Sequence, residues 1–574
     1  MEFNFVIVGA GAAGCVLAHR LSELPKAPSV CLIERGPSHN DSRWSIKMPG
    51  GCGYNLIYEN QRDLWLRYLS EPENKLNGRR IDSPRGTGWG GSSAINGMQF
   101  VRGQSQDFDR WAKQDFCTEL WSYEKCLPYF KKMENYTPGF EQSDAIAADA
   151  EDQCMKSLSN YRGLDGPIKV TSGRVTNREY SKCPMSSAFI RAAVQAGHKY
   201  NPDYNGATQE GVGWMDANAS NGIRQSASRC YLLPALSQNN LNVVSNATVS
   251  RIILNGKRAV GVEYINASGE KLIVKATQEV LLCAGAYNSP QILMLSGIGD
   301  PVILQPLGID VVHELPGVGC NLQDHIFVCL INGVRRPELS FRPNNWRNEW
   351  SDRIRAQWES QKEGWGSSNL FETCNFFKSN KQQTTANMQC GVAPMSVTVE
   401  TDGAFLFNPG ITAGINQHRP TSTGRLTLRS KNPSDDPIIE SNYLNDTSEI
   451  RVYIDSIKLM RKVLSQPALS EYISEEMIPG PQVTSDEALE KYIRAASSTS
   501  FHPCGTCRMG DPDAVPTPEA ARQLVVDTEL RVSGLSGLRV VDASVMPSIT
   551  SGNIHAPVLM IAERAADFIA ASLK

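Results

Sequence analysis

The chain of 574 residues is long enough for about two to four domains at roughly 150 residues each. Its 41% hydrophobic and 20% charged residues, with 46 Gly and 32 Pro, exclude a disordered, collagen-like or low-complexity protein. Its 57 basic and 60 acidic residues leave a net charge of −3, and no basic stripe marks a nucleic-acid binder.

Fifteen cysteines, an odd number spread from Cys15 to Cys507 without a regular framework, fit the reduced thiols of an intracellular, cytoplasmic enzyme. No apolar run reaches the ~18 residues that a bilayer requires, and no transmembrane anchor is expected. The chain enters a strand at Phe3, and no signal peptide is expected.

The opening reads strand, turn, helix, strand. Phe3 to Val8 is short and apolar, as in a strand buried on both faces. A helix follows with Val16, Leu17 and Leu21 on one face; Pro25 and Pro28 end it, and Ser29 to Glu34 is a second buried strand. Residues 36–110, rich in Gly, Trp and Asn, read as long ordered loops, and 140–165 as an acidic surface excursion. Leu241 to Val249, Arg251 to Leu254, Ala259 to Ile265 and Lys271 to Val274 read as a strand-rich meander, and Glu279 to Ala284 as a buried strand. Residues 320–495 have mixed character without a signature. Val558 to Leu573 reads as one amphipathic helix.

Gly9, Gly11 and Gly14 stand between the first strand and first helix, with Glu34 at the tip of the second strand. This is the setting in which a GxGxxG turn binds a dinucleotide. The first glycine makes the turn, the second admits the pyrophosphate and the third lets helix meet strand. The helix start, Ala12 and Ala13, offers N–H groups to phosphate, and Glu34 offers its carboxylate to a ribose. A Gly-rich turn beside a surface Glu is the bland alternative. The pattern alone leaves NAD and FAD open, and its place at the start of a long chain leans toward a flavoprotein.

A second glycine block runs from Pro84 through Gly90, Gly91, Ser92, Ser93, Asn96, Gly97 and Met98. It is suited to pressing backbone against a flat or charged group. Together with Gly285–Gly299, Asp203–Gly206, Leu315–His325 and Val540–Ser544, it makes the chain resemble the glucose–methanol–choline (GMC) oxidoreductases over nearly its whole length. The resemblance implies an α/β (overall α+β) fold: a Rossmann-type FAD-binding domain interleaved with a substrate domain on an antiparallel sheet. The FAD domain would take residues 1–160, 211–318 and 497–574, and the substrate domain 161–210 and 319–496. It also implies FAD contacts from Gly9, Gly11, Ala12, Ala13, Gly14, Glu34, Arg35, Gly90, Gly91, Ser92, Asn96, Gly97, Met98, Val249, Ala284, Gly285, Asp542, Ala543, Asn553 and Ile554. Val249 would meet the adenine through its backbone; read alone, it is a core valine. Ile95 occupies the position where some members carry a flavin-linked histidine, so FAD is expected to be non-covalent.

His502 matches the family base and Asn553 its partner. An imidazole that titrates near neutral pH suits removal of an alcohol proton, and an amide donor suits the oxygen. His555 lies two residues from Asn553, but the register favours Asn553. Cys504 and Cys507 form a CxxC near His502, yet lack the second ligand pair of a zinc site, and no metal is expected. The fold's light-driven decarboxylase branch is disfavoured because His502 is present and His418 precedes Arg419 and Pro420, where a cysteine would fall. Glu372 matches a segment that brings a carboxylate to a cationic substrate in choline-oxidising members, and Phe501 would line the same pocket; a structural carboxylate is the alternative. The tryptophans at 346, 350, 358 and 365 suggest a lid, core or an interface. The expected reaction is FAD-dependent oxidation of a primary alcohol to an aldehyde, with oxygen or quinone as electron acceptor. Choline oxidation and a non-catalytic flavin-binding protein are the alternatives.

Overall fold

The computed structural model describes residues 1–38, 43–52, 63–139, 150–173, 183–341, 349–399 and 405–573. Phe5 to Val8 and Val30 to Ile33 are buried apolar runs, which a parallel strand covered on both faces requires. They end the Glu2–Val8 strand and form the Val30–Ile33 strand, paired in parallel with Val6 opposite Cys31. Leu241–Val244 extends this sheet beyond Val30–Ile33, and Lys271–Leu282 lies on the other side of Glu2–Val8, both in parallel. The second half of Lys271–Leu282 also carries Leu538–Val540 in parallel, while its first half pairs antiparallel with Arg258–Ile265, and that strand with Thr248–Asn255. The sheet is therefore mixed and seven-stranded.

The Ala12–Ser22 helix packs along the final helix, His555–Ser572. Glu563, fully buried on the final helix, pins them: Arg20 donates to both its carboxylate oxygens at 2.8 and 2.9 Å, and the Tyr231 hydroxyl donates at 2.7 Å. Lys132 Nζ also lies 3.4 Å from Glu563 Oε2, so removing Arg20 would leave the buried carboxylate to Lys132 and Tyr231 alone and loosen the contact between the two helices.

A second seven-stranded sheet is antiparallel along Ile473–Ile478, Ile326–Val334, Ile411–Gln417, Met388–Ala393, Thr373–Phe377 and Gly211–Trp214, with Ser498–Thr499 added beside Ile326. Its period-2 alternation splits the side chains. Val328, Leu330, Met388, Cys390, Val392, Ala413 and Ile415 share a core with helices Pro184–Gln195 and Ser448–Leu464. Gln389, one residue out of phase with Met388 and Cys390, points the other way and reaches Asn553.

Several elements differ from the sequence reading. Leu241–Val249 is not one strand of a meander: Leu241–Val244 joins the parallel sheet, and the meander starts at Thr248. Lys271–Val274 and Glu279–Ala284 are one continuous strand ending at Leu282, whose polar middle is exposed ladder. Residues 36–110 hold regular structure among their loops, including the Trp65–Leu69 and Asp82–Gly86 hairpin and helix Ser105–Lys113. Part of 140–165 is helix Ala150–Tyr161; residues 140–149 lie outside the described residues.

Candidate active site

The parallel strands end together, and their C-terminal ends carry the predicted cofactor residues, where α/β sheets hold ligands. Gly9, at φ +101°, turns the chain after the first strand, and a Cβ there would lie 2.6 Å from the Cys283 carbonyl oxygen. At Gly14 a Cβ would fall 1.9 Å from the Gly9 oxygen, so only glycine lets the helix sit this close to the strand. Gly11 differs: a Cβ would have one neighbour, the Cys283 oxygen at 3.9 Å, and otherwise open space. The helix that begins at Ala12, Ala13 and Gly14 has no side-chain cap. Its first-turn N–H groups and positive dipole end suit a diphosphate.

The second glycine block lies against the first, backbone to backbone. Gly90 N–H donates to the Ala10 carbonyl at 2.8 Å, and a Cβ on Gly91 would stand 2.9 Å from the Gly11 Cα. Ser92 Oγ accepts from Gly86 N–H at 3.1 Å. Asn96 Oδ1 accepts from Met98 N–H at 3.1 Å and from the buried Arg224 guanidinium at 2.8 Å. Gly97 faces the Phe371 ring, which a Cβ would touch at 3.7 Å.

Glu34 ties the blocks together. Its Oε2 accepts from Ala10 N–H at 2.7 Å, and its Oε1 accepts from Gly36 and Gly88 N–H at 2.8 and 2.9 Å. One acceptor direction on Oε2 is left for a ribose hydroxyl. Arg35 is exposed beside it, and Val249 is buried in the ladder opposite Tyr264. Asp542 accepts from Gly285 N–H and Ser544 N–H at 2.8 Å each and from Ser289 Oγ–H at 2.5 Å, and burial pushes its carboxyl up. Ala284 precedes that turn, and the Ala543 carbonyl accepts from Gly505 N–H at 3.1 Å. An open cradle at Gly11, an uncapped helix start and a carboxylate with a spare acceptor direction are what FAD needs of its site. The residues present fit it.

Beside this cradle the structure brings His502 and Asn553 together, with His502 Nε2 3.1 Å from Asn553 Nδ2. Asn553 precedes the final helix, with Ile554 as its capping residue. His502 Nδ1 lies 3.0 Å from His325 Nδ1, and the two rings stand at 90°. The backbone around His502 is set by Asp324, whose Oδ1 accepts from His502 N–H at 2.8 Å. Asp324 Oδ2 accepts from the Thr499 hydroxyl at 2.5 Å and the Tyr443 hydroxyl at 2.6 Å, and burial pushes its carboxyl up to about 6. Burial, then His325 and Arg85, hold the His502 imidazole well below its ordinary range. Phe501 has φ +64°, and its carbonyl accepts from Arg85 at 2.7 Å.

Glu372 follows Phe371, the residue whose ring faces Gly97. Glu372 is buried, its Oε2 accepting from the Ser186 hydroxyl at 2.5 Å and its Oε1 from the Ser368 hydroxyl at 3.0 Å. Burial pushes its carboxyl up to about 7. Trp358 and Trp365 belong to a small core with Phe341 and Met395 rather than to a lid, and Trp358 Nε1 donates to the Gly222 carbonyl at 2.6 Å. Trp346 and the side chain of Trp350 lie outside the described residues. Cys504 and Cys507 are buried free thiols that burial pushes well up. Sequence reasoning missed Arg224, Gln389 and His325. Only His325 carried a local signal, its place beside Asp324 in the Leu315–His325 stretch.

Two GMC oxidoreductase family models match residues 3–327 and 420–562. The oxygen-dependent choline dehydrogenase of Serratia proteamaculans is 39% identical, with 99% of this chain and 96% of that protein covered. The human mitochondrial choline dehydrogenase is also 39% identical, with 99% and 90% covered. Among solved structures, an FAD-dependent oxidoreductase from Chaetomium thermophilum is similar at a TM-score of 0.83 and 26% identity, with 100% of this chain and 99% of that one covered.

Proposed function

The chain belongs to the GMC oxidoreductase family and is an FAD-dependent oxidoreductase, and on that premise we propose that it oxidises a primary alcohol to the aldehyde, with His502 as the base and Asn553 as its partner. The carrying observation is the 3.1 Å pairing of His502 Nε2 with Asn553 Nδ2 beside the two glycine blocks. Bound FAD supplies the acceptor for the hydride that leaves the alcohol carbon. His502 takes the hydroxyl proton at Nε2. Its lowered basicity means that it meets the alcohol unprotonated at neutral pH, and such a base contributes ~10²–10⁴-fold. The Asn553 amide donates to the alcohol oxygen as negative charge grows there. Asp324 holds the His502 backbone, and the Arg85 contact to the Phe501 carbonyl holds the preceding residue. FAD is held without a covalent bond: Ile95 offers no nucleophile in the first block.

Choline is the second reading, favoured by the similarity to choline dehydrogenases over 99% of the chain. Glu372 lends it little, because its carboxylate is engaged by two serine hydroxyls and is partly protonated near pH 7. The electron acceptor is then oxygen, as the name of the Serratia relative states for that protein, or a quinone. The test is anaerobic bleaching of the flavin by choline and by its uncharged isostere, 3,3-dimethylbutan-1-ol, among a panel of primary alcohols. Bleaching by at least one is expected, and a strong preference for choline selects the second reading. A flavin that no primary alcohol bleaches would overturn both and leave a non-catalytic flavoprotein.

A further inference from the structure

The geometry points to a directed hydrogen-bond chain, running from Gln389 to the backbone carbonyl of His418, in which His325 acts as the positioning residue that fixes the tautomer of His502. The inference rests on His502 being the base.

The direction follows from the end that has no choice. The His418 carbonyl oxygen accepts and cannot donate, and it lies 2.8 Å from His325 Nε2, so that nitrogen carries a hydrogen. His325 is fully buried, and burial pushes its imidazole down to about 4. It is therefore neutral at working pH, with one N–H and a bare Nδ1. At 3.0 Å, two bare nitrogens would repel, so His502 Nδ1 donates to His325 Nδ1. A neutral His502 then has its lone pair on Nε2, the nitrogen that faces Asn553. Asn553 Nδ2 donates to it at 3.1 Å, and its Oδ1 accepts from Gln389 Nε2 at 3.2 Å. Each step allows one choice for the next, and no donor meets a donor. The reversed chain would need a proton on the His418 carbonyl.

The consequence is chemical. With the hydrogen held on Nδ1, the lone pair is on Nε2; the alcohol hydroxyl takes the place of the Asn553 N–H there, gives up its proton to Nε2, and its oxygen accepts from the freed amide hydrogen. In the other tautomer Nε2–H would face the alcohol as a donor and take nothing. The charged and titratable groups around His502 are Arg85 from the strand before the glycine block, Asp324 at its backbone and His325 at its ring. Arg85 and Asp324 make no hydrogen bond to the His502 ring. His325 alone among these contacts decides which ring nitrogen carries the proton.

The test uses the holoenzyme with ¹⁵N-labelled histidine, the His502 signals being assigned by their loss in His502→Ala. The wild type should show a protonated Nδ1 and a bare Nε2. His325→Ala should mix the tautomers and slow anaerobic flavin reduction roughly 10–10³-fold, below the ~10⁴ lost with the orienting Asp of a serine protease triad. The loss should fall on the reduction rate rather than on substrate affinity. His325→Asn, which keeps an acceptor oxygen near the Nδ1 position, should restore at least part of both the rate and the signal. A wild-type His502 protonated on Nε2 would overturn the proposal even if His325→Ala fails to fold. So would a His325→Ala enzyme with wild-type signals and rate. If His502→Ala reduces its flavin at the wild-type rate, the base reading falls, whatever the tautomer.

Discussion

Glu372→Gln separates a buried structural carboxyl from a cation anchor, and the structure sets its size and sign. The side chain is 1% exposed, two serine hydroxyls donate to it, and among the described residues no Lys or Arg pairs with it. Burial pushes the carboxyl up to about 7, against an unfolded value near 4.3. Between those values the folded state holds the proton more tightly than the unfolded state. Stability from this group is therefore intact below about pH 4 and is lost as pH rises through 7. The full loss is about 4 kcal/mol by proton linkage. The replacement amide is neutral at every pH, and either serine can rotate to accept from it. Thermal unfolding at one scan rate should thus place Glu372→Gln level with or below the wild type at pH 5 and above it, by up to several °C, at pH 8.5. A difference that does not change with pH would refute the buried-acid reasoning. In kinetics, the variant should treat choline and 3,3-dimethylbutan-1-ol alike. A selective loss of choline would make Glu372 the cation anchor instead.

Non-covalent FAD predicts that acid precipitation sends all the yellow colour into the supernatant; colour kept by the pellet would contradict it. Gly11→Ala should fold with wild-type circular dichroism but bind little FAD, because its Cβ enters open space where the diphosphate belongs. Gly14→Ala should lower the stability of the protein itself, because its Cβ would fall 1.9 Å from the Gly9 oxygen. Asn553→Ala should slow flavin reduction about 10–10²-fold and less than loss of His502, since one donor to the oxygen is lost while the base stays.

The dinucleotide unit was legible because its information is local: three glycines, two apolar strands and an acid at set spacing. The final helix was legible for the same reason, although it begins three residues earlier, at His555. The second sheet was not. Its strands come from Gly211 to Thr499, most are short, and their alternation becomes meaningful only when Gln389 and Met388 fall on opposite faces. Lys271–Leu282 reads as two strands because its two halves face different neighbours and so carry different patterns. In the site, His502 and Asn553 stood out by motif, whereas the contact of His325 with His502 spans 177 residues of chain. Gln389 and Arg224 are ordinary polar residues until folding buries them beside Asn553 and Asn96.

The central claim is that His502 removes the alcohol proton. His502→Ala leaves a smaller side chain and keeps the N–H that donates to Asp324, so the loop should fold and FAD should stay bound. Anaerobic stopped-flow reduction by the best alcohol isolates this step from reoxidation. The expected rate is lower by roughly 10²–10⁴-fold at saturating substrate, because water must then take the proton. A His502→Ala enzyme with full FAD content and a near wild-type reduction rate would contradict it.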